Sequence, residues 1–413
     1  MTDMKKHNSK RLSPAPANHA AAGDFLRVLC VGMIGWYHIW QQSWLSPTLE
    51  TGAFRLSLMP AVRSGYMFVD LLLMLSGFLL YLPYANGKER APLDFYRRRA
   101  LRILPSYWLC LAVMLAFAIL APDFADGIGL AKDLAAHLTF THNLFPQSYL
   151  YTRLNIVLWT LAVEVQFYLL LPALAPAFRK HPLIFYLAMV GAALCFQRLW
   201  TGPMADTTLF VNRLPNMLDV YANGMLAAHL YTKLAKQRKR RRGLVAALGT
   251  AACLLGAWGI WRLLEGQASV YGYDLLRQGQ LDRRWLFSAC GALFLAGGSL
   301  SYGPVRRFFS NRAVRFLSGI SFNFYIWHQW LAVQLKAWRI PPYQAAADPN
   351  QAGEMPWQLH YTLICFAAAL VVATLVTYLV EKPAGRWADQ RLPKWEGFGK
   401  HARPHEKSEI PVK

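Results

Sequence analysis

Apolar residues in this chain come in long blocks separated by short polar connectors. Ten blocks are long enough to be read as helices crossing a bilayer, at about 25–44, 66–84, 103–121, 157–174, 183–200, 212–231, 244–261, 285–303, 315–337 and 359–380. No strand-like alternation of comparable length competes with them. The pattern predicts an all-α, polytopic membrane protein with about ten transmembrane helices. The sixth block is the least apolar, because it carries Asp219, Asn223 and His229. Between the third and fourth blocks, the connector 122–156 contains "AKDLAAHLTFTHNL", which predicts a short interfacial helix.

Composition agrees with that class. Of 413 residues, 55% are hydrophobic and 16% charged, which excludes an ordinary soluble enzyme of this length. The formal net charge of +22 would point to nucleic acid in a soluble chain. Here the basic residues sit in connectors such as "KLAKQRKRRRG" (233–243), as the positive-inside rule describes. With both termini placed in the cytoplasm, most of the 44 Lys and Arg residues fall on the cytoplasmic side. Residues 1–20 and 389–413 are expected to be cytoplasmic tails, the first disordered and the second basic, flanking a membrane domain over 21–388. The N-terminal stretch lacks a small-residue cleavage site and is not expected to be a signal peptide. All six cysteines lie in apolar blocks without CxxC spacing, which predicts small buried residues and no metal site.

Ionisable residues inside these blocks are the candidates for chemistry, since each costs roughly 2.5 kcal/mol or more at the bilayer centre. Arg27 and His38 are eleven residues apart, which returns a helix to nearly the same face after about three turns and 16 Å. A fixed cation then lies at one end of that face and a titratable base toward the other. Read alone, the pair also suits a snorkelling arginine and an interfacial histidine. Asp70 stands near the outer end of the second block in "MFVDLLLMLSGFLL", where Ser76 and Gly77 would let helices approach closely. Glu164, in "LWTLAVEVQFYLLLP", has no basic neighbour in sequence, so its partner must come from another helix. "FYRRRALRILPSYW" places Arg99 and Arg102 three residues apart, a pattern equally suited to phosphate and to lipid headgroups. His328 sits among aromatics in "SFNFYIWHQWL".

In this order and spacing, the stretch from Arg27 to His38, "VDLLLMLSGFLL", "RRALRILPSYW", "LWTLAVEVQFYLLLP", "RLPNMLDVYANGMLAAHL", "SFNFYIWHQWL" and "VEKP" at 380–383 resemble the acyltransferase-3 family of integral membrane acyltransferases, which includes surface-polysaccharide O-acetylases. The resemblance runs from about residue 24 to 388. It implies transfer of an acyl group, commonly acetyl, from cytoplasmic acyl-CoA to a hydroxyl of a cell-surface or membrane-linked carbohydrate. It also implies a place in the inner, or plasma, membrane. No tightly bound cofactor or metal is implied, and acyl-CoA is the donor substrate. His38 matches the family's essential histidine, Arg27 the arginine before it, Arg99 and Arg102 the basic motif, and Glu164 the acidic residue of the fourth span. The expected catalytic set is His38, Glu164 and Asp70. Arg27, Arg99, Arg102 and His328 are expected to bind the donor. His38 would be either a general base or an acyl carrier, with Glu164 or Asp70 orienting its imidazole or balancing Arg27. Intramembrane His, Asp and Glu would also suit a proton-coupled transporter or a flippase, but the interrupted, repeated helices of many transporters are not evident.

Overall fold

The structure is a computed structural model, and it describes residues 20–391 except 53, 89–90, 122–126, 202–207, 239 and 345–347. The expected tails therefore lie largely outside the described residues. Among the described residues, ten long helices follow the apolar blocks: α1 (Ala21–Ser43), α2 (Phe68–Ala85), α3 (Pro92–Leu120), α4 (Trp159–Lys180), α5 (Pro182–Phe196), α6 (Leu218–Gln237), α7 (Arg242–Ala268), α8 (Tyr273–Leu300), α9 (Arg312–Ala337) and α10 (Met355–Val376). Local chemistry sets several ends. Proline occupies the first turn of α3, α5 and α10, where its missing N–H is not needed. Asn311 caps α9 by accepting from the Val314 N–H.

Among the described residues, six helical segments are long and apolar enough to cross a membrane by length and composition: Gly65–Ala85, Pro92–Leu120, Ile156–Lys180, Pro182–Thr201, Arg242–Ala268 and Met355–Arg391. Asp274–Leu300 and Gly303–Ala337 meet that standard only together, and they meet at an angle of 119°. α1, α6, α8 and α9 do not meet it singly. Several polar groups of α6 have partners. Asp219 is buried, and the Asn223 amide donates to the Trp285 carbonyl and to Ser288 Oγ. Tyr81 and His229 are in hydrogen-bond contact. α5 and α10 do the reverse, exposing leucines such as Leu183, Leu187, Leu359 and Leu363. Such faces suit lipid and would be liabilities in water.

Two features depart from the expected pattern. A two-stranded antiparallel hairpin, β1 (Thr48–Thr51) with β2 (Phe54–Ser57), follows α1, and Gly52 supplies the left-handed backbone (φ 57°) of its turn. The connector 122–156 does form a helix, Gly127–Leu138, but one face of it is buried, with Asp133 and His137 among the covered residues. All six cysteines are free. Four are buried as expected, while Cys290 is half-buried and Cys195 exposed.

Helices meet where glycine removes the side chain. A Cβ on Gly77 of α2 would stand 2.7 Å from the Tyr221 carbonyl of α6, and one on Gly35 of α1 would stand 2.7 Å from the Phe324 ring of α9. The close approach expected at the Ser76-Gly77 pair is therefore between α2 and α6.

Candidate active site

Arg27, Arg99, Arg102 and Glu164 are brought together from α1, α3 and α4 around one cavity of about 170 Å³. Glu164 accepts hydrogen bonds from Ser76 Oγ of α2 (2.8 Å) and from the Tyr168 hydroxyl one turn along α4 (2.5 Å). The partner required from another helix is thus a serine, and the arginines face the carboxylate across open space. Three guanidinium groups against one carboxylate leave the lining electropositive. Arg99 lies against the rings of Phe95 and Tyr168, at 5.6 and 5.7 Å, which orients a group that would otherwise swing freely. Arg27 Nη1 reaches Ser318 Oγ at 3.5 Å, and Ser318 donates to Asp24 at 2.8 Å. Thr160 and Tyr325 line the same cavity and are joined at 2.9 Å.

The Tyr325 carbonyl leads to the second part of the site. It lies 2.6 Å from Nδ1 of His328, whose Nε2 lies 2.8 Å from Nδ1 of His38. The two imidazoles stack with centroids 5.0 Å apart. His328 is buried and His38 is partly exposed. His328 was expected among the donor-binding residues, beside the arginines. The structure instead sets it against the candidate base, through the α1–α9 contact that Gly35 permits.

Asp70 needs a larger correction. Neither orienting His38 nor balancing Arg27 fits its surroundings. Its carboxylate is fully buried 3.2 Å from Nε of Arg284 on α8, also fully buried, while Arg284 Nη1 donates to the Val211 carbonyl at 3.0 Å. Asp70 is half of a closed structural ion pair and does not line the arginine cavity.

Sequence reasoning missed several polar residues. Arg284 precedes the eighth apolar block by one residue and reads there as a connector residue. Glu381, in "VEKP", accepts from the Asn323 amide of α9 at 2.7 Å. In the connector, Asp133 takes Nδ1 of His137 at 3.0 Å and the Thr152 hydroxyl at 2.8 Å, and His137 stacks on His142 with centroids 4.0 Å apart. Burial and then the neighbouring His137 hold His142 down to about 3, so it is uncharged near neutral pH. The helix spacing of Asp133 and His137 was a signal for the first contact; nothing local announced the second.

These features define a polytopic helical membrane protein with a basic cavity and, joined to it through Tyr325, a histidine pair. The sequence profile described as an acyltransferase domain, that of the acyltransferase-3 family, matches residues 21–378, and the chain belongs to that family. It is a membrane acyltransferase by family. The chain is 27% identical over 288 residues to the exopolysaccharide production protein ExoZ of Rhizobium meliloti, covering 65% of this chain and 78% of that protein. It is 28% identical over 244 residues to nodulation protein 10 of Rhizobium leguminosarum bv. viciae, covering 54% of this chain and 64% of that protein, just under two thirds. No solved structure matches the chain significantly.

Proposed function

We propose that this protein transfers an acyl group, acetyl in the first instance, from acyl-CoA in the cytoplasm to a hydroxyl of a surface or membrane-linked carbohydrate. The observation that carries this reading is the electropositive cavity beside α1, lined by three arginines and by Tyr325, whose carbonyl lies 2.6 Å from Nδ1 of His328 in the histidine pair. In this reading all ten long helices span the plasma membrane and both termini are cytoplasmic, with Arg27, Arg99 and Arg102 at the cytoplasmic end. The arginines hold phosphate oxygens of the donor through charge-assisted hydrogen bonds. The cavity is below the roughly 300–1,000 Å³ that encloses a whole drug-sized ligand, so it accommodates part of the donor while the nucleotide stays outside. The name of ExoZ supports a polysaccharide acceptor.

His38 then acts as general base. It takes the proton of the acceptor hydroxyl as the oxygen attacks the thioester carbonyl. The new C–O bond forms, the C–S bond breaks, and the imidazolium returns the proton to the departing thiolate.

The test separates the two ends of the site. His38→Gln keeps a polar side chain but no base, and it should lower transfer by about 10²–10⁴-fold while acyl-CoA binding stays near wild type. Arg99→Ala or Arg102→Ala should do the converse, weakening donor binding by about 1.5–3 kcal/mol. Purified protein in lipid nanodiscs, assayed for acyl-CoA affinity and for acyl transfer, reads both. An active His38→Gln protein sinks the catalytic assignment, and unchanged affinity in both arginine variants sinks the donor site.

A further inference from the structure

The two histidines form an ordered hydrogen-bond relay, and its direction follows from the groups at one end. Nδ1 of His328 lies 2.6 Å from the Tyr325 carbonyl and 3.2 Å from the Phe324 carbonyl. Carbonyl oxygens only accept, so Nδ1 of His328 carries a hydrogen. In a neutral imidazole the other nitrogen is then a bare acceptor. That nitrogen, Nε2, is the one 2.8 Å from Nδ1 of His38. An acceptor there requires a donor opposite it, so Nδ1 of His38 carries its hydrogen and Nε2 of His38 keeps its lone pair.

We propose that His328 is a positioning residue that fixes His38 in its Nδ1–H form, so that Nε2 is the nitrogen presented to the acceptor hydroxyl. The inference deepens the acyl-transfer reading and takes its chemical meaning from it. A neutral imidazole free in water favours the opposite form, with the hydrogen on Nε2, which has no lone pair where a base needs one. The contact with His328 reverses that preference. Among the described residues, no carboxylate contacts either ring. The orienting role expected of Glu164 or Asp70 is therefore filled by a second imidazole.

The surroundings hold the relay still. His328 is buried, with its ring packed parallel to Phe324 at 5.9 Å. Gly35 brings α1 within reach, since a Cβ there would stand 3.8 Å from the His328 ring and 2.7 Å from Phe324. His38 retains an exposed edge, and Nε2 has no protein partner among the described residues. During transfer the acceptor proton moves to Nε2 of His38. Nδ1–H of His38 continues to donate to His328, and the proton then leaves for the thiolate sulfur, so His328 neither gains nor loses a proton overall.

Nitrogen NMR of the full-length protein with selectively labelled histidine reads the tautomer directly, with signals assigned by the loss of each resonance in His38→Gln and His328→Gln. The expected wild-type result is His38 protonated at Nδ1 and bare at Nε2. In His328→Phe, which keeps a ring but no acceptor, His38 should shift to the Nε2–H form. Its kcat should fall by about 100-fold with the donor KM changed by less than about threefold. His328→Gln retains an acceptor oxygen and should recover about tenfold over the phenylalanine variant. A wild-type His38 bearing its hydrogen on Nε2 overturns the relay even if His328→Phe does not fold, and so does a His328→Phe enzyme with wild-type kcat. If the tautomer is as expected and the wild type transfers nothing from acyl-CoA, the relay stands and the acyl-transfer reading falls.

Discussion

Glu164 and Asp70 are both carboxylates carried on apolar helices, and their surroundings set them apart. Asp70 is sealed against Arg284, with both side chains fully buried at 3.2 Å. Glu164 accepts from two hydroxyls and shares a cavity with three arginines, none of them in contact with it. An ionisable residue in a membrane span is expensive wherever it sits. A closed pair has committed both charges to each other. A set of cations arranged around open space with one carboxylate still has charge to direct at a ligand. The partner, more than the residue's own position in the span, separates structure from function.

The largest effect should come from opening the closed pair. Arg284→Ala leaves Asp70 buried without a counter-charge and should cost about 3–5 kcal/mol of stability. Asp70→Leu combined with Arg284→Met should recover most of that, because well-packed apolar residues often replace a buried ion pair without loss. Thermal unfolding in detergent, at matched protein concentration, compares the three proteins. An Arg284→Ala protein as stable as wild type but deficient in donor binding would erase the distinction drawn between the two carboxylates.

Next comes Glu164→Gln, the matching change on the open side. The amide oxygen still accepts from Ser76 and Tyr168, so unfolding should move little. Transfer should fall by about 10–100-fold, the scale of about 1.5–3 kcal/mol of interaction that depends on the carboxylate's charge. The contrast is sharpest when both readouts are taken on both proteins. Loss of stability without loss of specific transfer would place Glu164 with Asp70.

Much of this is legible in the sequence. The long helices among the described residues follow the hydropathy blocks, because long apolar runs have few alternatives in a bilayer, although six of them are long and apolar enough to cross one on their own. The Arg27 and His38 spacing placed both on one helical face, and Arg27, Arg99, Arg102 and Glu164 do share a cavity. What stayed hidden was pairing across the chain. His38 and His328 are 290 residues apart, and no local pattern joins them. Arg284 was hidden for a different reason, since a cation just ahead of an apolar block reads as a connector residue whether it faces headgroups or a buried acid. Asp70 was misplaced in the same way. Near the end of a span, a carboxylate in water and one locked to an arginine have the same sequence. The hairpin after α1 was missed because four-residue strands leave too short a pattern to separate from a loop.

The smallest effect is expected at Ser76, and its neighbour makes the effect interpretable. Ser76 Oγ donates to Glu164, while Gly77 faces the other way, onto the backbone of Tyr221. Ser76→Ala removes one of the two donors and leaves the Tyr168 hydroxyl in place. The loss of one hydrogen bond contributes about 0.5–1.5 kcal/mol, so transfer should drop by roughly two- to tenfold. Unfolding should be nearly unchanged, since alanine fits the space of serine. Gly77→Ala should do the opposite. Its new Cβ would stand 2.7 Å from the Tyr221 carbonyl, so α2 and α6 must move apart and the protein should lose stability, by about 1–3 kcal/mol for overpacking. Two adjacent methyl-scale changes would then separate activity from folding within one turn of one helix. If Ser76→Ala instead destabilises the protein as Gly77→Ala does, with specific transfer intact, the Ser-Gly pair serves packing alone and Glu164 draws nothing functional from α2.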